Sequence, residues 1–380
     1  MTDESGREQA GPPEAQAGPP EAQAGTGLPD LASRALRGSV VAASDDFFAD
    51  AASLISPRPP VHQPGTFGPR GQLYDGWETR RRHLPDGSLP GPDAHDWVVV
   101  RLGAPGVPHA VVVDTAFFTG NYPQSCSVQA CTLPGYPGPA ELAAAAWEEI
   151  VPRSPLSGGQ QHTFPVTGPA RRRTHVRLNI FPDGGVARLR VHGEVVADPA
   201  LADGLTVDLA AAELGADVVD CSDRYFSAPR NALAPGLPAV MGEGWETRRR
   251  RDTGNDWLII RLAAPGVIAL AEIDTLHYKG NAPGAAMLSV TDARRTPPGG
   301  PDAWTVLLPR TRLQPDTAHR FRVAGPPEAQ AWPPEAPAGQ EATHARLDIY
   351  PDGGVARLRL YGSVTASGLA GLRQRWAETG

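Results

Sequence analysis

Two segments of this 380-residue chain are nearly the same: Arg177-Leu-Asn-Ile-Phe-Pro-Asp-Gly-Gly-Val-Ala-Arg-Leu-Arg-Val-His-Gly193 and Arg346-Leu-Asp-Ile-Tyr-Pro-Asp-Gly-Gly-Val-Ala-Arg-Leu-Arg-Leu-Tyr-Gly362. Apolar residues alternate with polar ones on both sides of Pro-Asp-Gly-Gly, and this alternation is typical of β-strands. Glycine adopts positive φ at no steric cost, which suits a tight turn. Each segment therefore predicts a β-hairpin, formed in the first copy by residues 174–181 and 186–191.

Further motifs occur in both halves of the chain, in the same order. Asp75-Gly-Trp-Glu-Thr-Arg-Arg-Arg82 returns as Glu243-Gly-Trp-Glu-Thr-Arg-Arg-Arg250, and Val113-Asp-Thr115 with Gly120-Asn121 returns as Ile273-Asp-Thr275 with Gly280-Asn281. A period of about 160 to 170 residues is too long for a solenoid or a propeller and indicates a duplicated domain. We predict one domain over residues 36–203 and a second over residues 213–366.

The first 35 residues are of low complexity. They contain Gly-Pro-Pro-Glu-Ala-Gln-Ala twice in succession, and the same heptapeptide stands again at residues 325–331. Such a segment has almost no large apolar side chain to bury, so we predict a disordered tail over residues 1–35 and a surface loop at the later position.

Composition and charge exclude several classes of function. The net charge of −7 argues against a nucleic-acid partner, because phosphate binding needs a basic surface. The three cysteines, Cys126, Cys131 and Cys221, lack metal-binding spacing and indicate reduced thiols. The sequence shows no signal-peptide pattern and no apolar run long enough to span a membrane. We expect a cytoplasmic protein that does not bind a membrane.

The main body of the chain has a β pattern. Residues 97–102, 110–113 and 125–131 predict further strands, and 42 glycines and 41 prolines indicate many turns between them. Residues 140–149 are the best helix candidate because alanine favours helices. We expect the aromatic pairs at residues 47–48 and 225–226 to pack under their domains. Several short strands separated by turns predict an all-β fold of two tandem jelly-roll β-sandwich domains.

The spaced motifs Gly-Trp-Glu-Thr-Arg, Asp-Trp and Asp-Thr…Gly-Asn, present in two tandem copies, resemble those of the allantoicase family. The resemblance covers nearly the whole chain after about residue 36. It implies two galactose-binding-like β-sandwich domains side by side. It also implies a hydrolase that converts allantoate and water to ureidoglycolate and urea in allantoin (purine) degradation, with allantoate as the small-molecule substrate. We expect no cofactor.

Allantoate carries one carboxylate and two ureido groups, and the motif loops supply matching side chains. Arginine binds a carboxylate bidentately, asparagine and threonine pair with ureido groups, and a buried carboxyl or imidazole moves protons. The predicted proton-moving residues are Glu78, Asp114, Glu246, Asp274, His277 and Lys279. The predicted substrate-binding residues are Thr79, Arg80, Asn121, Thr247, Arg248 and Asn281.

The second copy is the stronger candidate for catalysis. It has His277 and Lys279 where the first copy has Phe117 and Thr119, and residues two apart on an extended loop point the same way. Against this, the second copy lacks the polar run that follows Asn121 in the first copy.

Several of these residues also have a purely structural interpretation. The Glu and Arg side chains of the motif would serve as loop-fixing salt bridges, and His277 as an ordinary structural residue. The arginines of the predicted hairpins, which alternate with apolar residues, would form a solvated or interface face: Arg188, Arg190, Arg357 and Arg359. No sequence motif indicates a dedicated metal site, although a divalent cation held by Asp and Glu oxygens stays open.

Two other functions remain as alternatives. A tandem carbohydrate- or ligand-binding β-sandwich protein without catalysis would share the fold, since fold alone does not fix function. A degenerate relative that has lost activity would share the motifs as well. The many ionisable residues in the motif loops favour the hydrolase, and a closed homo-oligomer is the default expectation for the assembly.

Overall fold

The computed structural model describes residues 26–323 and 340–380. The heptapeptide at residues 325–331 and most of the predicted tail, residues 1–25, lie outside the described residues. Residues 26–35 are described, and Leu31 is completely buried in the core of the first repeat, ahead of the predicted domain start at residue 36.

Antiparallel strands build both repeats. The first repeat contains β1 (Ser39–Ala43), β2 (Phe67–Gly68), β3 (Gly71–Gln72), β4 (Trp77–Glu78), β5 (Asp96–Asp114), β6 (Ser125–Cys131), the helix α1 (Pro139–Ala143), β7 (Glu148–Pro155), β8 (Gln161–Pro165), β9 (Arg173–Phe181), β10 (Gly185–Val186) and β11 (Arg188–Val195). The second contains β12 (Thr206–Asp208), β13 (Asp217–Cys221), β14 (Trp245–Glu246), β15 (Asp256–Asp274), β16 (Ala285–Thr291), β17 (Thr305–Arg312), β18 (Ala318–Arg322), β19 (Ala342–Tyr350), β20 (Gly354–Val355), β21 (Arg357–Val364) and the helix α2 (Ala366–Glu378).

Short 3₁₀ helices connect some of these strands. They span Arg34–Leu36, Ala51–Ile55, Pro199–Leu201, Ala212–Leu214, Pro229–Leu233, Met241–Glu243 and Pro301–Ala303. The prediction of two tandem antiparallel β-sandwich domains is confirmed. None of the helices within residues 26–323 and 340–380 is long and apolar enough to cross a membrane.

One long strand joins the two sheets of each sandwich. The first part of β5 pairs with β1 and β9, and its second part, after a register break between Arg101 and Gly106, pairs with β8 and β11. In the second repeat, β15 does the same with β13 and β19, and then with β18 and β21. The runs at residues 97–102 and 110–113, predicted as two strands, are therefore two parts of one strand that changes sheet.

The predicted hairpin at Pro-Asp-Gly-Gly is wrong, although its strands exist. β9 pairs with β5 and β6, whereas β11 pairs with the other part of β5, so the two predicted hairpin strands lie in different parts of the sandwich. The turn is a crossover between sheets. Gly185 is required there because a Cβ atom would stand 2.0 Å from the ring of Phe118.

Two other local predictions also fail. The helix predicted over residues 140–149 ends at Ala143, because Glu148 already pairs with Ala130 in the sheet and this pairing overrides alanine propensity. The aromatic pair at residues 225–226 does not pack under its domain, since Tyr225 and Phe226 are 67% and 59% exposed, and of the pair at residues 47–48 Phe47 is exposed and Phe48 half-buried.

The two repeats contact each other directly. Arg58 of the first repeat forms a 2.9 Å ion pair with Glu243 of the second. The C-terminal helix α2 extends from the second repeat to the first, where the carbonyl of Thr379 accepts a 2.7 Å hydrogen bond from the backbone N–H of Arg172. The surfaces between the repeats are therefore held at a defined separation, and cavities lie there.

Candidate active site

Each repeat holds one carboxylate–amide pair from its motif loops. The side-chain N–H₂ of Asn121 donates to Glu78 at 2.8 Å, and that of Asn281 donates to Glu246 at 2.6 Å. All four side chains are half-buried. Burial raises the pKa of the Glu78 carboxyl, and the hydrogen bond from Asn121 opposes this rise. These four predicted site residues are thus brought together in pairs, one pair in each repeat.

The threonines of the motif are buried and engaged with the crossover turn. The hydroxyl oxygens of Thr79 and Thr247 accept hydrogen bonds from the backbone N–H groups of Gly184 and Gly353, at 3.1 and 3.0 Å. Both threonines are 3% exposed. A loop-fixing role accounts for their presence in both copies, and a contact with substrate stays a prediction.

The aspartates that end the long strands are also buried, each 2% exposed. Asp114 accepts a 2.8 Å hydrogen bond from the backbone N–H of Ala116, and Asp274 accepts the equivalent bond from Leu276. These bonds fix the turn at the strand end. Both side chains point into their own turns, and their predicted role in proton transfer stays a prediction.

The motif arginines Arg80 and Arg248 are bound to acidic partners in their own repeats. Arg80 pairs with Asp45 at 2.8 Å and Arg248 with Asp223 at 2.7 Å. The two arginine side chains are each 65% exposed. The salt-bridge interpretation therefore describes their geometry, and their role as carboxylate ligands stays a prediction.

His277 and Lys279 do not point the same way. His277 has a φ of 72°, so the loop is not extended and the two-residue alternation does not apply. Nε2 of His277 lies 3.0 Å from the carbonyl oxygen of Pro238, whereas Lys279 is exposed and faces Asp316 at 3.8 Å. The two ionisable groups that distinguish the second copy thus have separate surroundings.

A different set of polar side chains surrounds a cavity between the repeats. This space, called the Arg190 cavity, has a volume of about 810 Å³. The first repeat contributes Asp30, Gln161, Thr163, Arg190 and His192, and the second contributes Ala212, Arg230, Asn231 and Ala234. A concave space with several converging polar groups is the usual form of a small-molecule site.

Arg190 and Asp30 form the charged wall of this cavity. Nη1 of Arg190 lies 3.4 Å from a carboxylate oxygen of Asp30, and Nη2 lies 3.4 Å from the carbonyl oxygen of Arg58. Both contacts are long for a guanidinium, which leaves it able to bind an anion. Burial raises the pKa of the Asp30 carboxyl above its ordinary value, although Arg190 acts in the opposite direction.

The ring orientation of His192 is fixed. Its Nδ1 lies 2.9 Å from the carbonyl oxygen of Leu28, and a carbonyl can only accept a hydrogen bond, so Nδ1 carries the proton. The neutral ring then has Nε2 as its acceptor. This is the arrangement that a general base requires. The second repeat has Tyr361 at the equivalent position, so the histidine belongs to one repeat alone.

The expected solvated arginine face is buried. Arg188 and Arg357 are 2% and 4% exposed. Arg188 donates to the carbonyl oxygens of Arg58 and Asp75, and Arg357 donates to carbonyls of the corresponding loop in the second repeat. The alternation placed these arginines correctly on the face away from the core, but loops cover that face.

Sequence reasoning missed Asp30 and Arg190 as site residues. Asp30 lies in the segment predicted as a tail, and Arg190 was predicted to lie on a solvated or interface face. The difference between copies could have indicated His192 and Gln161, which correspond to Tyr361 and Ala318 in the second repeat, but not Asp30 and Arg190, which recur there as Asp208 and Arg359. Within the described ranges, no three His, Cys, Asp or Glu side chains are grouped to hold a metal ion.

Comparisons of the chain with a family model and with individual proteins indicate the same family. The model of the allantoicase repeat matches residues 29–196 and 207–365. A "Probable allantoicase" of Nocardia farcinica is 52% identical, over 89% of this chain and 95% of that protein. A "Probable allantoicase" of Streptomyces coelicolor is 48% identical, over 92% of this chain and 89% of that protein.

The fold agrees with a solved structure of the same name. The crystal structure of allantoicase from Saccharomyces cerevisiae superposes with a TM-score of 0.71 at 31% sequence identity, covering 88% of this chain and 93% of that one. Both the tandem repeat and the β-sandwich architecture are thus shared along nearly the full length of these proteins.

Proposed function

The chain belongs to the allantoicase family of amidinohydrolases, which act on allantoate in allantoin degradation, and we propose that its reaction takes place in the Arg190 cavity between the two repeats. The observation that carries this placement is the convergence of a weakly engaged guanidinium, a buried carboxyl of raised pKa and a histidine of fixed tautomer around one space. Perturbed carboxyls in clefts are candidates for proton transfer.

Arg190 would bind the carboxylate of allantoate through paired N–H donors. Two amide side chains of the cavity have their N–H₂ groups occupied: Gln161 donates to Asp114 at 3.0 Å, and Asn231 donates to the carbonyl of Gly244 at 3.2 Å. Their amide oxygens therefore serve as acceptors. Ureido N–H groups are the matching donors, so the cavity fits both parts of the substrate.

The reaction adds water to the central carbon of allantoate and breaks one bond from that carbon to a ureido nitrogen. Nε2 of His192 takes a proton from the attacking water, whose oxygen becomes the hydroxyl of ureidoglycolate. The departing nitrogen keeps the bonding electron pair and needs a proton to leave as urea. The Asp30 carboxyl is the proposed donor of that proton, because burial raises its pKa above the ordinary value although Arg190 opposes the rise.

The test is urea release from allantoate, with allantoin and ureidoglycolate assayed in parallel. Arg190→Gln should raise KM for allantoate by about 10- to 100-fold, since a bidentate charged contact is lost. His192→Phe should lower kcat by about 100-fold or more with a smaller change in KM. Normal kinetics in both variants, with folding confirmed by circular dichroism, would exclude this cavity.

The carboxylate–amide pairs are a second candidate site. The observation in their favour is that Glu78 and Glu246 are half-buried and each accepts a hydrogen bond from an asparagine side chain. In this alternative Glu246, with His277, would move the protons. Glu246→Gln and Glu78→Gln would then abolish turnover while Arg190→Gln would not, the reverse of the result expected for the Arg190 cavity.

A non-catalytic ligand-binding protein remains the functional alternative from another class. It would bind a carbohydrate or another ligand and release no urea from any of the three ureides. We further propose a cytoplasmic homo-oligomer that works without a cofactor. Three free cysteines, two of them buried, are consistent with a reducing compartment. Light scattering of the purified protein measures the assembly, and activity after chelator treatment tests the requirement for a metal.

A further inference from the structure

A second cavity adjoins the Arg190 cavity and has an excess of positive charge. It has a volume of about 730 Å³ and shares Ala35, Pro57, Asn231 and Ala234 with its neighbour. We call it the Arg34 cavity. Three arginines and one carboxylate line it: Arg34, Arg58, Arg357 and Glu243. A lining with more cations than anions, continuous with a proposed reaction site, favours a small anionic ligand.

Arg34 is the cation that is available to such a ligand. Within residues 26–323 and 340–380, its guanidinium has no hydrogen-bond or ion-pair partner, and the residue is exposed. The other arginines are engaged. Arg58 pairs with Glu243 at 2.9 Å, and Arg357 donates to carbonyl oxygens that include those of Asn231 and Gly236.

Arg34 is not part of the repeated framework. Asp30-Leu-Ala-Ser-Arg34 corresponds to Asp208-Leu-Ala-Ala-Ala212 in the second repeat, so the equivalent position there is an alanine. Both segments form the same short 3₁₀ helix without needing the arginine side chain. Folding of the repeat therefore does not explain Arg34.

We propose that the Arg34 cavity is a second binding site for a small carboxylate, and that it receives the ureidoglycolate formed in the Arg190 cavity. Charge gives the ligand class, a carboxylate: of the two products, ureidoglycolate retains the carboxylate, whereas urea is neutral and gains nothing from a cationic wall. The assignment of the ligand as the reaction product rests on the proposed function. The presence of an anion site rests on Arg34 and its surroundings alone.

Product inhibition gives the first test. Initial rates of urea release from allantoate are measured with added ureidoglycolate or added urea. Arg34→Ala should raise the inhibition constant of ureidoglycolate about 10-fold, as expected for loss of one charged contact, and leave inhibition by urea and KM for allantoate within twofold. Arg81→Ala is the matched control, because it removes an exposed guanidinium that does not line either cavity.

Equilibrium binding of glycolate by the full chain gives a second test that needs no turnover. Calorimetric binding should be weakened by Arg34→Ala and retained in Arg190→Gln. If the wild-type protein releases no urea, the proposed function is wrong. The measurement of glycolate binding still tests the anion site in that case. Unchanged glycolate binding and unchanged ureidoglycolate inhibition in Arg34→Ala would overturn the proposal, as would a parallel rise of KM for allantoate.

Discussion

Polar residues that occur in both copies have identifiable structural partners. The Thr79 hydroxyl joins the Gly-Trp-Glu-Thr-Arg loop to the crossover turn at Gly184, and Thr247 does the same at Gly353. Arg82 and Arg250 bind the buried aspartates Asp96 and Asp256 that open the long strands. Loop fixing therefore explains why these residues occur in both copies. Repetition does not separate structural residues from candidate site residues, since Arg190 and Asp30 of the Arg190 cavity recur as Arg359 and Asp208.

Thr79→Ala should lower the free energy of unfolding by about 1–3 kcal/mol, because it leaves the buried N–H of Gly184 without its acceptor. Thr79→Ser keeps the hydroxyl and should lose much less. Denaturant titration measures both variants. KM for allantoate should stay within twofold of wild type in each, and a large rise in KM at unchanged stability would show that Thr79 contacts substrate instead.

Buried His175 should make the first repeat sensitive to acid. Burial, and then the charge of Arg101, lower the pKa of its imidazole to about 4, below the ordinary value of 6.5. Between those two values the unfolded chain binds a proton that the folded chain does not, so stability falls as the pH is lowered through this window. Denaturant titrations at pH 7 and pH 5 should show a smaller loss for His175→Gln than for wild type. An equal loss would contradict this assignment.

At the level of elements, the long strand β5 and the crossover after β9 determine where the side chains lie. Because β5 takes part in both sheets, the face formed by its second part with β8 and β11 carries Gln161, Arg190 and His192 toward the other repeat. The crossover places β9 and β11 in different surroundings. Arg190 and His192 lie on β11, so their place in the Arg190 cavity depends on the crossover turn between β9 and β11.

Gly185→Ala should disturb this crossover. Its Cβ atom would stand 2.0 Å from the Phe118 ring, and relieving such a clash in a packed interior costs about 1–3 kcal/mol. Gly120→Ala is a suitable control, since no atom lies within 4 Å of the Cβ position there. Thermal unfolding should show a clear loss for the first variant and little for the second. Equal midpoints for the two variants would contradict the packing of this turn.

The strands themselves could be predicted from alternation, and their pairing could not. Residues 125–131 and 174–181 show the pattern because side chains on a strand alternate between core and exterior. The Pro-Asp-Gly-Gly crossover looked like a hairpin because a turn sequence does not specify which strands pair. Arg190 shows the same limit: the alternation predicted which face of the strand it lies on, but not that the loop at Arg58 partly covers it.

At the scale of the whole molecule, the two repeats form one unit with a cleft between them. The contacts across it include the Arg58–Glu243 ion pair and the ion pair between Arg375 of α2 and Glu194 of the first repeat. The Arg190 cavity is lined from both sides, so neither repeat contains the complete set of cavity residues. The duplication provided two similar sandwiches that share the Arg190–Asp30 pair as Arg359 and Asp208, whereas His192 and Gln161 occur in the first repeat alone.

The crystal structure of the His192→Phe variant with allantoate bound tests the central proposal most directly. The account predicts the carboxylate of allantoate against the guanidinium of Arg190, with a ureido group near Gln161 or Asn231, in the cavity between the repeats. Allantoate bound instead at Glu78 and Asn121, or at Glu246 and Asn281, with the Arg190 cavity holding only solvent, would contradict it.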